Sequence, residues 1–371
     1  MPWLAQAADG VHVYSGMLGE MPIVVEMDLS NPAEVQGRYF YQKYLTDLPI
    51  YGNLQGQDLQ LTEDPDDKSV KDFPKLHLRP KGKNGWQGLW QGAQDNILAI
   101  ELMENDIPAP ADTAEPGWQA IYHKSLYDYL RLQGLPLKAG KIETVMGHTL
   151  QWWTEPVSNL SMFEITSGYS AEERQRINRQ LRARLWDDVV NYNDCLLGSR
   201  RRYAYYNQTV TPHLLSPGVV SIGVVSRFYC GALPDLDDTP LNFDVKSGKL
   251  LTLEDVLWVG QGKVLHNDAS EDPVGVEAYT DYRQKQLIPW LVDQLKAIAP
   301  QAMQKPTSED GCDYSDPDIW KYAFWRFTPK GIYFGPSFAS GLRTCRSPDW
   351  SVVPYAQIKK MPGGMEVQMP N

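Results

Sequence analysis

The chain has 371 residues, 42% of them hydrophobic and 11% aromatic, enough apolar material for two cores and unlike a disordered chain. Its 35 basic and 46 acidic residues leave a net charge of -11, which repels nucleic acid and anionic lipid and favours neutral or basic partners. No run of about 18 apolar residues occurs, so no transmembrane helix is expected.

The first residues, Pro2-Trp3-Leu4 followed by Ala5-Gln6-Ala7, read as the end of a secretory signal with an A-x-A cleavage site, the rest removed; an ordinary N-terminal arm is the alternative. From residue 11 to about 103 the hydrophobic pattern has period two, the mark of half-buried strands. Val25, Met27 and Leu29 alternate with Glu26 and Asp28, Leu59 and Leu61 with Gln60 and Thr62, and Leu98, Ile100 and Leu102 do the same. Gly16, Gly19, Gly37, Gly52, Gly56, Gly85, Gly88 and Gly92 fall between these runs, spaced as turns and bulges of an antiparallel meander or small barrel. Tyr14-Ser15-Gly16, Tyr51-Gly52 and Trp86-Gln87-Gly88 echo one another, which reads as hairpin chemistry rather than a true repeat. After a loop rich in Pro, Ala and Asp, the spacing of Ile121, Leu126, Tyr129 and Leu130 predicts one helix over 118–133, stopping near Gly134 and closing this domain.

Near residue 150 the texture changes to helices alternating with strands. The expected fold class is therefore α+β: a β-rich domain over 1–150 and an α+β domain of antiparallel sheet and helices over 151–371. Ser170-Ala171-Glu172-Glu173 is a capping box, and Ile177, Leu181, Leu185 and Val189 follow at intervals of four. A helix over 171–194 follows, burying one stripe and exposing an Arg-rich back. Strands around Val219–Tyr229 lead to a turn at Lys246–Lys249 and a short helix capped by Thr252 with Asp255 at its third position. A further helix over about 280–298 contains Pro289, as its start or as a kink. Thr328-Pro329-Lys330-Gly331 has the composition of a hairpin turn between Tyr322–Phe327 and Gly331–Phe334.

The four cysteines lack C-x-x-C spacing and suit disulfides better than a metal, with buried free thiols as the alternative. Cys312 and Cys345 lie almost symmetrically about the Thr328 turn, so they are expected to bond across the hairpin's open end. Cys195 then pairs with Cys230 by default.

No H-E-x-x-H, G-x-S-x-G, Walker loop or dinucleotide fingerprint occurs, so the usual nucleophile, zinc and phosphate routes have no visible machinery. No cofactor and no metal are expected; a calcium loop at Asp235 fails because Pro240 and Lys246 stand where Gly and Glu are needed. The charged features left are three acidic loops, at Glu63–Asp67, at Asp235–Asp238 and around Glu309–Asp318. They read as solvated loops or as a surface for a basic partner. Candidate partner-binding residues are Asp235, Asp237, Asp238, Glu309, Asp310 and Asp313. Trp86, Trp90, Trp152 and Trp153 are core residues or, on the rival reading, a sugar-binding surface.

Leu215-Ser216-Pro217-Gly218-Val219-Val220-Ser221-Ile222, then Gly231-Ala232, then Leu241-Asn242-Phe243-Asp244-Val245-Lys246-Ser247-Gly248-Lys249 and Leu253-Glu254-Asp255-Val256-Leu257 come in a distinctive order. Phe327–Phe334 and Val353-Pro354-Tyr355-Ala356 complete it. Over about 157–360 this resembles the C-terminal domain family of the anti-sigma factor RsiV, also found on some peptidoglycan deacetylases. The resemblance implies an extracytoplasmic α+β domain, which in RsiV recognises lysozyme. Two family segments differ here, appearing as Cys230-Gly231-Ala232-Leu233 and Gly335–Gly341. The functional expectation is a non-catalytic, periplasmic or cell-envelope binding protein for a protein partner, foremost a basic, lysozyme-like wall hydrolase. The alternative is a glycan-binding or glycan-modifying protein of the cell wall.

Overall fold

The computed structural model describes residues 10–63, 72–92, 96–111, 113–198, 204–267, 273–307 and 311–370. The N-terminal signal-like stretch, most of the first acidic loop, and Glu309 and Asp310 lie outside them. Eight antiparallel strands, β1 (Val11–Leu18), β2 (Met21–Asp28), β3 (Val35–Tyr41), β4 (Leu48–Gln55), β5 (Asp58–Glu63), β6 (Lys75–Lys81), β7 (Gly85–Gln91) and β8 (Ile97–Glu104), follow one another around a closed barrel. Closure comes from β1 pairing with β8, Gly16 opposite Leu102. The alternating residues fill the interior: Leu18, Met27, Ile50, Leu59 and Leu102 are fully buried there, so the barrel is a packed core.

The glycines do not all act as turns. Gly19 and Gly56 take left-handed backbone in tight hairpin connections. Gly16, Gly52 and Gly88 instead sit inside strands, where a Cβ would collide with the carbonyl oxygen of Glu101, Gln60 or His77 on the neighbouring strand. The three echoed motifs are thus places where adjacent strands of a small, strongly coiled barrel approach closely.

The expected closing helix is two helices, α1 (Trp118–Lys124) and α2 (Leu126–Leu132), because Ser125 is extended and caps α2 by accepting the Asp128 N–H. Tyr127 of α2 lies against Val13, Val24 and Phe40 on the outside of the barrel, while Tyr129 and Leu132 enter the next core. This explains why Ile23, Val24 and Val25 are consecutive apolar residues: β2 is covered on both faces. Charged groups complete the junction. Arg38 of β3 donates to Glu26, Asp128 and Asp194, and Arg131 of α2 to Asp47, which also accepts the Tyr127 hydroxyl.

A three-stranded sheet of β9 (Lys138–Val145), β10 (His148–Glu155) and β11 (Leu160–Ile165) follows, so residue 150 falls inside a strand. The long helix α3 (Ala171–Gly198) begins with the Ser170–Glu173 box, both reciprocal bonds present, and buries Ile177, Leu181, Leu185 and Val189. Its Arg-rich back is only partly exposed: Arg182 binds Glu115 and Glu164, and Arg184 binds Asp188 and Thr239.

Strand β13 (Val219–Tyr229) pairs with β12 (Tyr205–Leu215) on one side and with β14 (Asp235–Asp238) and β15 (Leu241–Asp244) on the other. Val219–Val224 are buried throughout, between α3 on one face and a third core on the other. Within that run Ser221 accepts the Phe327 N–H and donates to Asn242, whose amide donates to the Trp325 carbonyl. This clamp joins the sheet to a smaller one of β16 (Phe324–Thr328), β17 (Gly331–Gly335) and β18 (Val352–Pro354). Asp244 holds the following turn through Ser247, and Thr252 with Asp255 forms a complete capping box on α4 (Leu253–Val256). The residues that carry the sequence resemblance therefore do structural work in this chain.

Helical structure then runs from α5 (Pro273–Tyr282) through a π-helical turn, Arg283–Leu287, into α6 (Ile288–Ile298). Pro289 has no N–H for a bond to the Lys285 carbonyl and its ring crowds that group, and the widened turn just before it accommodates both defects. Disulfides join Cys195 at the end of α3 to Cys230 beyond β13, and Cys312 to Cys345 in a 3-10 segment, Ser340–Arg346. Such covalent links fit an oxidising compartment. No helix among the described residues is long and apolar enough to cross a membrane.

Candidate functional site

Where α1 and α2 meet α3 and the edge of the β12–β14 sheet, the surface opens into a cleft of about 560 Å³. Five aspartates line it, Asp128 from α2, Asp187, Asp188 and Asp194 from α3 and Asp237 from β14, against two cations, Lys124 and Arg184. The α3 carboxylates stand there because positions 184, 187, 188, 191 and 194 recur at intervals of three and four, a polar stripe beside the buried one.

Asp188 is the floor of the cleft, 2% exposed, with one carboxylate oxygen held by Arg184 Nε at 2.9 Å. Burial outweighs that guanidinium and pushes its carboxyl above the usual range. Asp128, also buried, accepts Arg38 Nη2 at 3.1 Å. Asp187 and Asp194 stand at the mouth; burial against the cleft walls raises both, and for Asp194 the neighbouring Asp128 charge adds to it. The Tyr206 hydroxyl lies 3.4 Å from Ser226 Oγ at the far wall, and burial raises it also. Carboxylates with raised pKa values and few cations gain from an incoming cation, which favours their ionised form.

The acidic residues singled out from sequence are dispersed by the fold. Asp235–Asp238 is a strand, not a loop, and its side chains alternate in direction. Asp237 enters the cleft. Asp235 receives Arg346 Nη1 at 3.0 Å, and the same nitrogen donates to the Leu236 carbonyl. Asp238 is buried 3.6 Å from Arg326, its carboxyl raised to about 6 by burial. Asp313 caps a turn through Ser315 and does not line the cleft. Asp128, Asp187, Asp188 and Asp194 were the residues that sequence reading passed over. For the three on α3 the signal was the polar 3–4 spacing, masked by the interleaved arginines.

The tryptophans are engaged rather than bare. Trp86 belongs to the barrel core, Trp90 donates to Glu63, and Trp152 and Trp153 donate to Glu143 and Glu164 beneath Lys141 and Arg182. Among the described residues no group of three or more His, Cys, Asp or Glu is arranged to hold a metal ion.

No family model and no curated protein matches the chain. Among solved structures it is similar to a member of the DUF3298 family from Bacteroides fragilis, with 13% identity and a TM-score of 0.34. That match covers 62% of this chain and 94% of the other.

Proposed function

We propose that the chain is an extracytoplasmic, non-catalytic binding protein, related to the RsiV C-terminal domain family, that receives cationic side chains of a basic protein partner in the acidic cleft. The observation that carries the reading is the gathering of five aspartates from three elements around one cleft. The two disulfides support an oxidising location, and the net charge of -11 supports a basic partner. The motif order over 157–360 supports a protein ligand of the lysozyme-like class. A lysine or arginine entering the cleft meets Asp187, Asp188 and Asp194, whose carboxyls burial raises, so complex formation in mildly acidic solution should release protons.

Surface plasmon resonance against a panel of lysozymes tests this. Binding at micromolar concentration is expected, with an association rate that falls as salt shortens the Debye length from about 10 Å to about 3 Å. Asp187→Asn with Asp237→Asn should slow association, whereas Asp235→Asn, outside the cleft, should not. Absence of binding at low salt removes the lysozyme-like partner, and equal association rates for all variants remove the cleft.

A further inference from the structure

A second cavity, about 410 Å³, opens between β12 and the β16–β18 sheet. Its chemistry is opposite to that of the cleft. A bulge in β12 between Pro212 and Leu214 turns His213 toward it, a usual role for such irregularities. Arg326 and Tyr333 are directly opposed on β16 and β17, and the guanidinium lies over the phenol ring with 3.9 Å to its centroid. Pro329, Pro348 and Val352 give apolar walls, and Lys330 lies at the exposed rim with Asp349.

Arg326 is held less completely than most part-buried arginines, Arg176 being another with a buried, unpartnered Nε. Arg38, Arg182, Arg184 and Arg346 each make two or more hydrogen bonds. Arg326 has a 3.6 Å ion contact to Asp238, too long for a hydrogen bond, and a buried Nε with no hydrogen-bond partner. Its planar fork, the group best shaped to grip a carboxylate in two places, faces a cavity of ligand size with its donors unfilled.

We infer that this cavity binds a small organic carboxylate with an apolar body, the carboxylate on Arg326 and the body against Tyr333, Pro329, Pro348 and Val352. Lys330 adds attraction at the rim. Burial and the nearby Arg326 charge lower His213 to about 4, so it faces the ligand as a neutral ring. Asp238 competes for the guanidinium from behind, so it limits affinity.

Calorimetric titration with N-acetyl-phenylalanine, its neutral amide, and inorganic phosphate tests the inference. The acid should bind at least ten times tighter than the amide and tighter than phosphate. Arg326→Gln should abolish the preference for the acid, and Asp238→Asn, which keeps the side-chain shape, should tighten acid binding severalfold. The Asn variant keeps the test decisive if Arg326→Gln does not fold. Equal binding of acid and amide, phosphate binding as tightly as the acid, or looser acid binding in Asp238→Asn would each overturn it.

Discussion

Asp237 and Asp238 are neighbours in sequence and serve opposite faces of the molecule. Asp237 adds its charge to a cleft already rich in carboxylate, while Asp238 lies buried beside Arg326 at the back of a cavity that carries positive charge. The pleat of a four-residue strand separates them. An acidic run in sequence is therefore not an acidic surface in space, because the fold decides which carboxylates gather and which cations each one meets.

The comparison depends on β14 being held in register, and Arg346 does this next to a disulfide. Arg346 follows Cys345 and grips both Asp235 and the Leu236 carbonyl. Replacing Cys312 and Cys345 with Ser should cost about 3 to 4 kcal/mol by the chain-entropy model, read from urea denaturation. Amide exchange in 235–238 should rise in the same variant. Unchanged exchange there would show that β14 is held by its pairing with β13 alone.

The positive side can be isolated by pH. Asp238 titrates at about 6 against an ordinary 3.8, so its contribution to stability is complete below that ordinary value and is lost as pH climbs to about 6. His213 titrates at about 4 against 6.5, so its contribution is complete above 6.5 and is lost as pH falls to about 4. The two run in opposite directions across one window, so in the native chain they offset one another. The Arg326 charge acts on both groups, while the charge of Asp237 reaches Asp238 through the strand and that of Asp238 reaches Tyr333. Relative to the native chain, Asp238→Asn should therefore gain stability as pH rises from 4 to 6.5, and His213→Asn should lose it. Parallel pH profiles for all three proteins would contradict the burial of these groups.

Much of this fold is legible in sequence because it follows periodicity. The barrel strands, the capped helix α3 and the Thr252 box announce themselves through alternation of two, spacing of four and local capping chemistry. What is not legible is non-local. Gly52 in mid-strand has the same letters around it as a turn glycine, and only the Gln60 carbonyl across the sheet distinguishes them. Ser125 splits a helix because Tyr127 must reach the barrel and Tyr129 the next core, a constraint absent from the window 118–133. The cleft was missed for the same reason. Its members come from 128, 187, 188, 194 and 237, and α3 carries arginines on neighbouring turns that make the stripe look like a neutral, solvated face.

The smallest expected effect separates the two kinds of carboxylate by sign. Asp187 stands at the cleft mouth, raised by burial that Lys124 and Arg184 only partly offset and not held by a short ion pair, and its charge in turn opposes ionisation of Asp188. Asp235 is held by Arg346 at 3.0 Å with a charge-assisted bond. At pH 7 and low salt, Asp187→Asn should stabilise the chain by a few tenths of a kcal/mol, and Asp235→Asn should destabilise it by about 1 kcal/mol. The first effect should fade as pH falls toward the ordinary aspartate range, because a raised carboxyl protonates early, and in high salt, where its repulsion of Asp188 is screened. The second should persist better in salt, because the pair is partly shielded and its bond is short. Melting curves at two salt concentrations give both signs in one experiment. If Asp187→Asn destabilises at low salt, the cleft already has its charge balanced from within and no cationic partner is needed to explain it.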